Sequence, residues 1–441
     1  EAQPTIGGGA RSAELTLPGF THDIASAVHT LANELPFFPS IPLEQHGLRW
    51  ILPPASMAHP FDDRPPAMLR TSFADTGATL GPDAAAYESL IRPYSERWEE
   101  LAADALAPIH LPRHPLLLGR FGLSALRSAH ALATSRFRGE EARGFFAGLA
   151  THSIMPLTKV ATASIGLVFA AVGHRVGWPI PAGGAQSVAD ALVSYLRSLG
   201  GEVVSDSQVN SLRDIPGAKT IFLDLSTRGA LQLAGDRFSA SYRSALEHYR
   251  AGPGICKVDW ALSGPVPWRH RECAEAGTLH LGGTLEELTA SEAAPWNGEH
   301  SEKPFVLATQ PSLFDPSRAP PGKHTLWGYC HVPNGSDVDM SERIERQIER
   351  FAPGFRDCIL ARRVTRATEL HLGNANLYGG DIAGGANTLR QLFFRPAVQW
   401  NPYATSVKGM YLCSSFTPPG GGVHGMCGVY AARAALRDLE S

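Results

Sequence analysis

Between Gln186 and Leu199 the apolar residues Val188, Leu192, Leu196 and Leu199 recur at helical spacing, with Ala189 and Val193 beside them. The stripe predicts an amphipathic helix. Gly200 stands where a left-handed cap belongs and the β-rich Glu202–Val204 follows, so the pattern predicts a helix feeding a strand. TIFLDL, Thr220 to Leu225, reads as a second strand of the same α/β layer. From GICKVDWAL at Gly254 to Cys330 the texture becomes strand-like, interrupted by GGTLEELTASE, where Thr284 and Glu287 form a capping box for a short helix. In SERIERQIERF, Ile344, Ile348 and Phe351 make one apolar stripe, and Glu342 and Arg346 are spaced to pair across a turn. Near the end of the chain, GMYLCSSFTPPGGGVHGMCGVYAARAAL predicts a buried strand (Met410 to Cys413), a Pro-Gly loop and an alanine-rich helix.

At 441 residues, 44% hydrophobic and 18% charged, the chain is long enough for two domains and a large buried cofactor. A net charge of −3 with mixed Lys and Arg gives no basic face, so nucleic acid is not an expected partner. The longest apolar stretch, Val160 to Val172, falls short of the ~20 residues a spanning helix needs, although an apolar entrance would allow peripheral contact with a membrane. Six cysteines lie scattered without a C-x-x-C pair or metal-ligand spacing, so reduced thiols and no metal site are expected. That pattern favours the cytoplasm, with no targeting region visible and no initiator Met. Neither a G-x-S-x-G elbow nor an H-E-x-x-H helix supports a hydrolase.

Two glycine-rich segments carry the candidate chemistry. In the C-terminal one, Gly421 and Gly422 precede a helix whose amino end, Val423 to Met426, offers backbone N–H groups and the positive end of a dipole to an anion or to developing negative charge. The other is the opening, EAQPTIGGGARS. In dinucleotide-binding folds an acid at the end of the second strand binds the adenosine ribose. In one flavoprotein superfamily this acid is followed by Gly-Gly and a basic residue, and Glu1, Gly7, Gly8 and Arg11 stand in that order and spacing.

The segments ELTLPGFTHDIASAVH, HRVGWPIPAGGAQSVADAL, GPGICKVDWALSGPVPW, HLGGTLEEL, QPSLFDPSRAPPGKHTLWGYCHVP, ERFAPGFRDCIL and PPGGGVHGMCG extend the likeness over nearly the whole chain. The sequence resembles the FAD-dependent phytoene desaturase and amine oxidase superfamily, most closely its phytoene dehydrogenase-like branch. The resemblance implies an α/β fold: a discontinuous Rossmann-like FAD-binding domain (1–30, 177–235 and 405–441) and an inserted α+β substrate domain (31–176 and 236–404) with a mixed or antiparallel sheet. By the same pattern about 30 residues bearing G-x-G-x-x-G would precede Glu1, so the chain reads as an N-terminally truncated copy.

Carried onto positions, the resemblance places Glu1 at the adenosine ribose, and Gly7, Gly8 and Arg11 at the pyrophosphate and ribityl side. Val209, on the strand after the GGAQ helix, would meet the adenine. Val423, His424, Gly425 and Met426, led in by Gly421 and Gly422, would meet the isoalloxazine, with Ser414 where related chains often carry an acid. It implies FAD as cofactor and dehydrogenation or desaturation of a mostly apolar small molecule by hydride transfer to flavin N5. No catalytic acid or base follows from it. His22, His29 and His424 are the histidines expected nearest the ring, and Lys257 and Asp259 either pair at the pocket or face solvent. Cys413 and Cys427 read as buried apolar thiols. Phe145, Phe146, Leu167, Val168, Phe169, Trp178, Trp260 and Trp268 are either tunnel lining or core. Two other readings stay open: an interaction or regulatory protein that keeps the fold without FAD, and an amine oxidase-type flavoenzyme. The oligomeric state has no signature in the sequence.

Overall fold

Alternation with a period of two sets the largest layer. In Gly254–Leu262, residues Cys256, Val258, Trp260 and Leu262 point one way while Lys257, Asp259 and Ala261 point the other, and all are buried. The computed structural model describes residues 1–440. Its thirteen strands are β1 Ser12–Glu14, β2 Thr21–Asp23, β3 Trp50–Ile51, β4 Ala55–His59, β5 Ala67–Leu69, β6 Ile180–Pro181, β7 Ile221–Leu223, β8 Gly254–Leu262, β9 Ala276–Leu281, β10 Val306–Thr309, β11 His324–Val332, β12 Ile359–Thr365 and β13 Met410–Leu412. Seven form one sheet in the order β12-β8-β11-β10-β9-β4-β5. All its neighbours are antiparallel except β4 and β9, so the sheet is mixed.

One face of this sheet packs Val258, Trp260, Leu279, Ala308 and Leu326 onto Ile344, Ile348 and Phe351 of the Ser341–Phe351 helix. Trp260 and Trp268 belong to this apolar side, where their indole N–H groups donate to Glu345 and Gln310, so both are core residues of the sheet, while Trp327 lies on the other face. Over that other face lies a helical layer between Phe73 and Gly173, whose core includes Phe145, Phe146, Leu167 and Val168. Small residues let it close on the sheet: a Cβ on Gly148 of the Glu140–Ala150 helix would stand 2.8 Å from His59 Nδ1.

The remaining elements form a smaller α/β layer. The predicted amphipathic helix is Gln186–Ser198, ended by Gly200 at φ +87°. β7 and β13 pair in parallel, Met410 opposite Ile221, and the Met426–Glu440 helix buries Ala431, Ala434 and Ala435 against Tyr403 and Tyr411. The expected strand at Glu202–Val204 is absent. The segment is irregular through Val209, so Val209 is not on a strand either; the Val204 carbonyl accepts from the Glu1 amino group, and just beyond it the Asp206 and Ser207 N–H groups donate to the Gln3 and Glu1 carbonyls. The capping box at Thr284 and Glu287 is present, with both reciprocal bonds. Glu342 and Arg346 find partners beyond their own turn, Arg356 and Glu302 respectively.

Candidate functional site

The C-terminal loop leaves β13 through Ser414, whose hydroxyl donates to the Leu225 carbonyl at 2.7 Å and so ties β13 to the end of β7. Buried Arg395 then holds the loop from behind, donating to the carbonyls of Ser415 and Gln391 and to Asn387 Oδ1. Against it lies a second glycine-rich segment, Gly384–Gly385: a Cβ on Gly421 would stand 3.0 Å from the Ala383 carbonyl oxygen. His424 closes the turn into the helix. Its Nδ1 accepts from the Met426 N–H at 3.1 Å, and its Nε2–H donates to the Gly420 carbonyl at 3.2 Å. Burial pushes its pKa down to about 4, which keeps the ring neutral and able to accept.

This corrects the expectation of open N–H groups from Val423 to Met426: the Met426 N–H already has a protein acceptor. The Cys427 and Gly428 N–H groups precede the first turn's bond, Val429 to Gly425, and remain those a ligand at the helix end would meet. Gly425 has a local cause of its own. Its φ is +72°, and a Cβ there would lie well inside contact distance of the Phe37 ring.

The opening residues gather beside the same layer. The Glu1 amino group donates to the Val204 carbonyl at 3.0 Å, which sets Glu1 beside the segment that leads to Val209. Gly7 and Gly8, both at positive φ, form a turn closed by the Ala10 N–H and by Arg11 Nε, which donate to the Gly7 and Gly8 carbonyls. A Cβ on Gly7 would touch Ala189 of the Gln186–Ser198 helix, and Val423 packs near Val188 of that helix. The helix thus brings both glycine-rich segments to one place. Its amino end is capped by Asp23 and Ser12, which accept from the Ala185 and Gln186 N–H groups.

Asp23 also begins a buried polar cluster that runs onto the sheet. Arg318 Nη2 donates to Asp23 at 2.7 Å with both side chains buried, and the Trp327 indole donates to the Asp23 carbonyl. Lys257 and Asp259, adjacent on one face of β8, pair at 2.5 Å and are buried, which settles their alternative in favour of pairing. Burial raises the Asp259 carboxyl and lowers the Lys257 ammonium, and the ion pair opposes both shifts. His22 Nδ1 stands 3.6 Å from Asp259 Oδ1, and Nε2 lies 2.8 Å from Thr16 Oγ1. Burial, with Lys257 and Arg318 nearby, holds His22 down to about 3, so it is neutral. His29, pushed down to about 4 by burial, stacks edge-on against Trp50.

Register extends this polar face across the sheet. One row runs Asp259, Trp327, Thr309, Thr278, Met57, and the next runs Lys257, Tyr329, Leu307, His280. Beyond them His331 Nδ1–H donates to the buried Glu292 carboxylate at 2.8 Å. Its Nε2 is buried without a hydrogen-bond partner, as are the hydroxyls of Thr278, Thr309 and Thr325 and Asp259 Oδ1. His152 Nε2 meets His280 Nε2 at 3.0 Å, while neighbouring Ser153 accepts through its carbonyl from Asn387 of the loop behind Gly421. Among the described residues, no group of three or more His, Cys, Asp or Glu is arranged to hold a metal ion. Partnerless buried polar atoms are costly, which sets this face apart from the apolar one packed on the Ser341–Phe351 helix. Of these residues the sequence singled out His22, Lys257 and Asp259. It gave no sign of Asp23, Arg318, Glu292 or His331, which become neighbours only through sheet pairing; the GGDIAGG run was a signal that could have found the second loop.

No protein-family model matches the chain. Pyridine nucleotide-disulfide oxidoreductase domain-containing protein 2 of Rattus norvegicus is 26% identical over the whole chain and 89% of that relative. The Mus musculus protein of the same name is 36% identical over 40% of the chain, but this match takes in only 32% of that protein's length. A phytoene dehydrogenase of Streptomyces griseus is 27% identical over 62% of the chain and 52% of its own. In fold, an oxidoreductase from Methanosarcina mazei matches the entire chain and 93% of its own at a TM-score of 0.64 and 15% identity. A putrescine oxidase matches the entire chain and 92% of its own at a TM-score of 0.62 and 14% identity. In sequence the chain is thus similar to phytoene dehydrogenases and to pyridine nucleotide-disulfide oxidoreductase domain-containing protein 2, and it shares its fold with a putrescine oxidase.

Proposed function

We propose that this protein is an FAD-dependent oxidoreductase that dehydrogenates a mostly apolar substrate between the polar sheet face and the C-terminal glycine-rich loop. The observation that carries the reading is the row of buried, partnerless polar atoms on that face, from Asp259 to His331, next to the two packed glycine-rich segments. The names of the relatives support it: a phytoene dehydrogenase in sequence and a putrescine oxidase in fold.

The residues present fit the cofactor at the loop. The side-chain-free Gly421–Gly422 and the first-turn N–H groups of Cys427 and Gly428 would meet the flavin edge, with Val423, His424, Gly425 and Met426 shaping the approach. Glu1, Gly7, Gly8, Arg11 and Val209 would face the adenosine end. Bound FAD supplies the acceptor for a hydride. Removing a hydride from one carbon and forming a double bond requires that a proton leave the neighbouring carbon. His331 Nε2 takes that proton, and the Nδ1–H to Glu292 bond fixes the tautomer and stabilises the imidazolium that results. Lys257 and Asp259, already paired, orient and neutralise.

Titration of the 441-residue protein with FAD, followed by flavin fluorescence quenching, comes first. Anaerobic addition of phytoene in detergent micelles should then bleach the bound flavin, whereas putrescine should not. Bleaching by putrescine alone would move the protein to the amine oxidases. Failure to bind FAD would favour the interaction-protein reading, which the internal satisfaction of Met426 N–H by His424 also supports.

A further inference from the structure

The helical layer has a second surface, on its solvent side. The Pro115–Ala125 helix buries Leu117, Phe121 and Ala125 on one side. Its solvent side reads Leu116, Arg120, Leu123 and, just beyond the helix, Arg127, all exposed. A helix facing water normally carries polar residues there. Leu116 and Leu123 are 89% and 80% exposed, and Leu111 in the preceding turn is 91% exposed. Ile109, Leu126 and Val160 are also exposed, with Val160 held next to Leu126 by the Ala161 N–H donating to its carbonyl.

Within the stretch of chain that bears these side chains the charge has one sign. No Asp or Glu occurs from Leu106 to Gly139, a run that holds Arg113, Arg120, Arg127, Arg136 and Arg138. Arg120, Arg127 and Arg136 line a shallow groove of about 240 Å³ beside Leu123. Acids on the adjoining helices, Glu88 and Glu100, are already engaged by Arg92 and Arg97. Among the described residues no helix is long and apolar enough to cross a membrane, so any lipid contact is made from one side.

We propose that this face docks on an anionic lipid surface, with Leu111, Leu116 and Leu123 entering the acyl region and the three groove arginines taking headgroup phosphates. Charge complementarity decides for this partner: aliphatic tips within an acid-free, arginine-bearing run match a negatively charged interface. The near-complete exposure of each leucine agrees. A fluid acyl layer closes around isolated projecting side chains, whereas a protein partner would need a socket for each. The surface stands apart from the redox reading, and its test needs neither flavin nor substrate.

The test is flotation of the full chain with phosphatidylcholine vesicles, with and without a minority of phosphatidylglycerol. Binding should require phosphatidylglycerol and weaken with salt. Arg120→Gln, Arg127→Gln and Arg136→Gln should each cost roughly fivefold in partitioning. Leu116→Gln and Leu123→Gln should each cost at least roughly tenfold. These positions are exposed, so the melting midpoint serves as the folding control and should hold. Equal partitioning of native and triple-arginine proteins would overturn the proposal, as would no binding to either vesicle. Displacement by millimolar inorganic phosphate would mark the groove as a small-anion site. A dimer seen by light scattering that the leucine variants dissolve would assign the face to a second copy of the chain. Either result would also overturn the proposal.

Discussion

His331 and Glu292 have the geometry of a base and its orienting carboxylate, and the two roles separate by substitution. Glu292→Gln keeps the shape but presents an amide that can donate to Nδ1, which would favour the wrong tautomer. His331→Gln removes the base outright. In FAD-loaded protein both should slow substrate-driven flavin bleaching by about 10²–10⁴-fold, the usual worth of a positioned base. FAD retention should be unchanged, and nitrogen-15 spectra of the native chain should show His331 protonated at Nδ1. Native bleaching rates in His331→Gln would remove the residue from the mechanism. Gly425 makes a different case. Its left-handed backbone and the Phe37 ring both exclude a side chain, so Gly425→Val should destabilise by about 1–3 kcal/mol in denaturant unfolding whether or not FAD is present. Adding Phe37→Ala should relieve the clash and leave the backbone strain. Full stability of Gly425→Val would mean that the loop turns otherwise.

Among elements, the Gln186–Ser198 helix shows how far local pattern reaches. Its apolar period and its Gly200 cap were legible because both are set within a few residues, as was the Thr284–Glu287 capping box. What holds its amino end was not, because Asp23 is 162 residues from Ala185 in the chain and Arg318 is 295 residues from Asp23. The missing strand at Glu202–Val204 is likewise a matter of distant partners: among the described residues no strand pairs with it, and its neighbour in space is the opening segment, whose amino group donates to the Val204 carbonyl. Glu342 and Arg346 likewise exchanged a weak helical pair for partners on other elements. The His331–Glu292 pair lies in no spacing motif at all, since the two residues come from a strand and a helix 39 positions apart. The Asp23 cap carries a prediction. Asp23→Ala leaves Arg318 buried and unpaired and should cost about 3–5 kcal/mol in denaturant unfolding. Arg318→Met combined with it should recover part of that loss, because no buried charge is then stranded. Simple addition of the two single costs would show that the residues do not depend on each other.

Across the whole molecule, the stacking of a helical layer on a polar sheet face fills the interior with imidazoles. Burial pushes His22 and His152 down to about 3 and His29, His59, His174 and His424 to about 4, and lowers His280 as well. Each is neutral in the folded state and has an ordinary pKa near 6.5 once unfolded. The unfolded chain therefore binds more protons below pH 6.5, and stability present above that value is lost as pH falls towards 4. Each histidine contributes at most about 1.4 kcal/mol per pH unit to the slope. Glu34, Asp224, Asp259 and Asp381, whose carboxyls burial raises, work in the opposite direction but are fewer. The expected outcome is a melting midpoint that drops steeply between pH 7 and pH 5, with more than one proton taken up per molecule on unfolding. His424→Gln should flatten the slope by about one proton while keeping a side-chain acceptor for the Met426 N–H. A midpoint that stays level from pH 7 to pH 5 would mean that these rings are charged or solvated in the folded protein. The closed polar face proposed as the site would then be open to water.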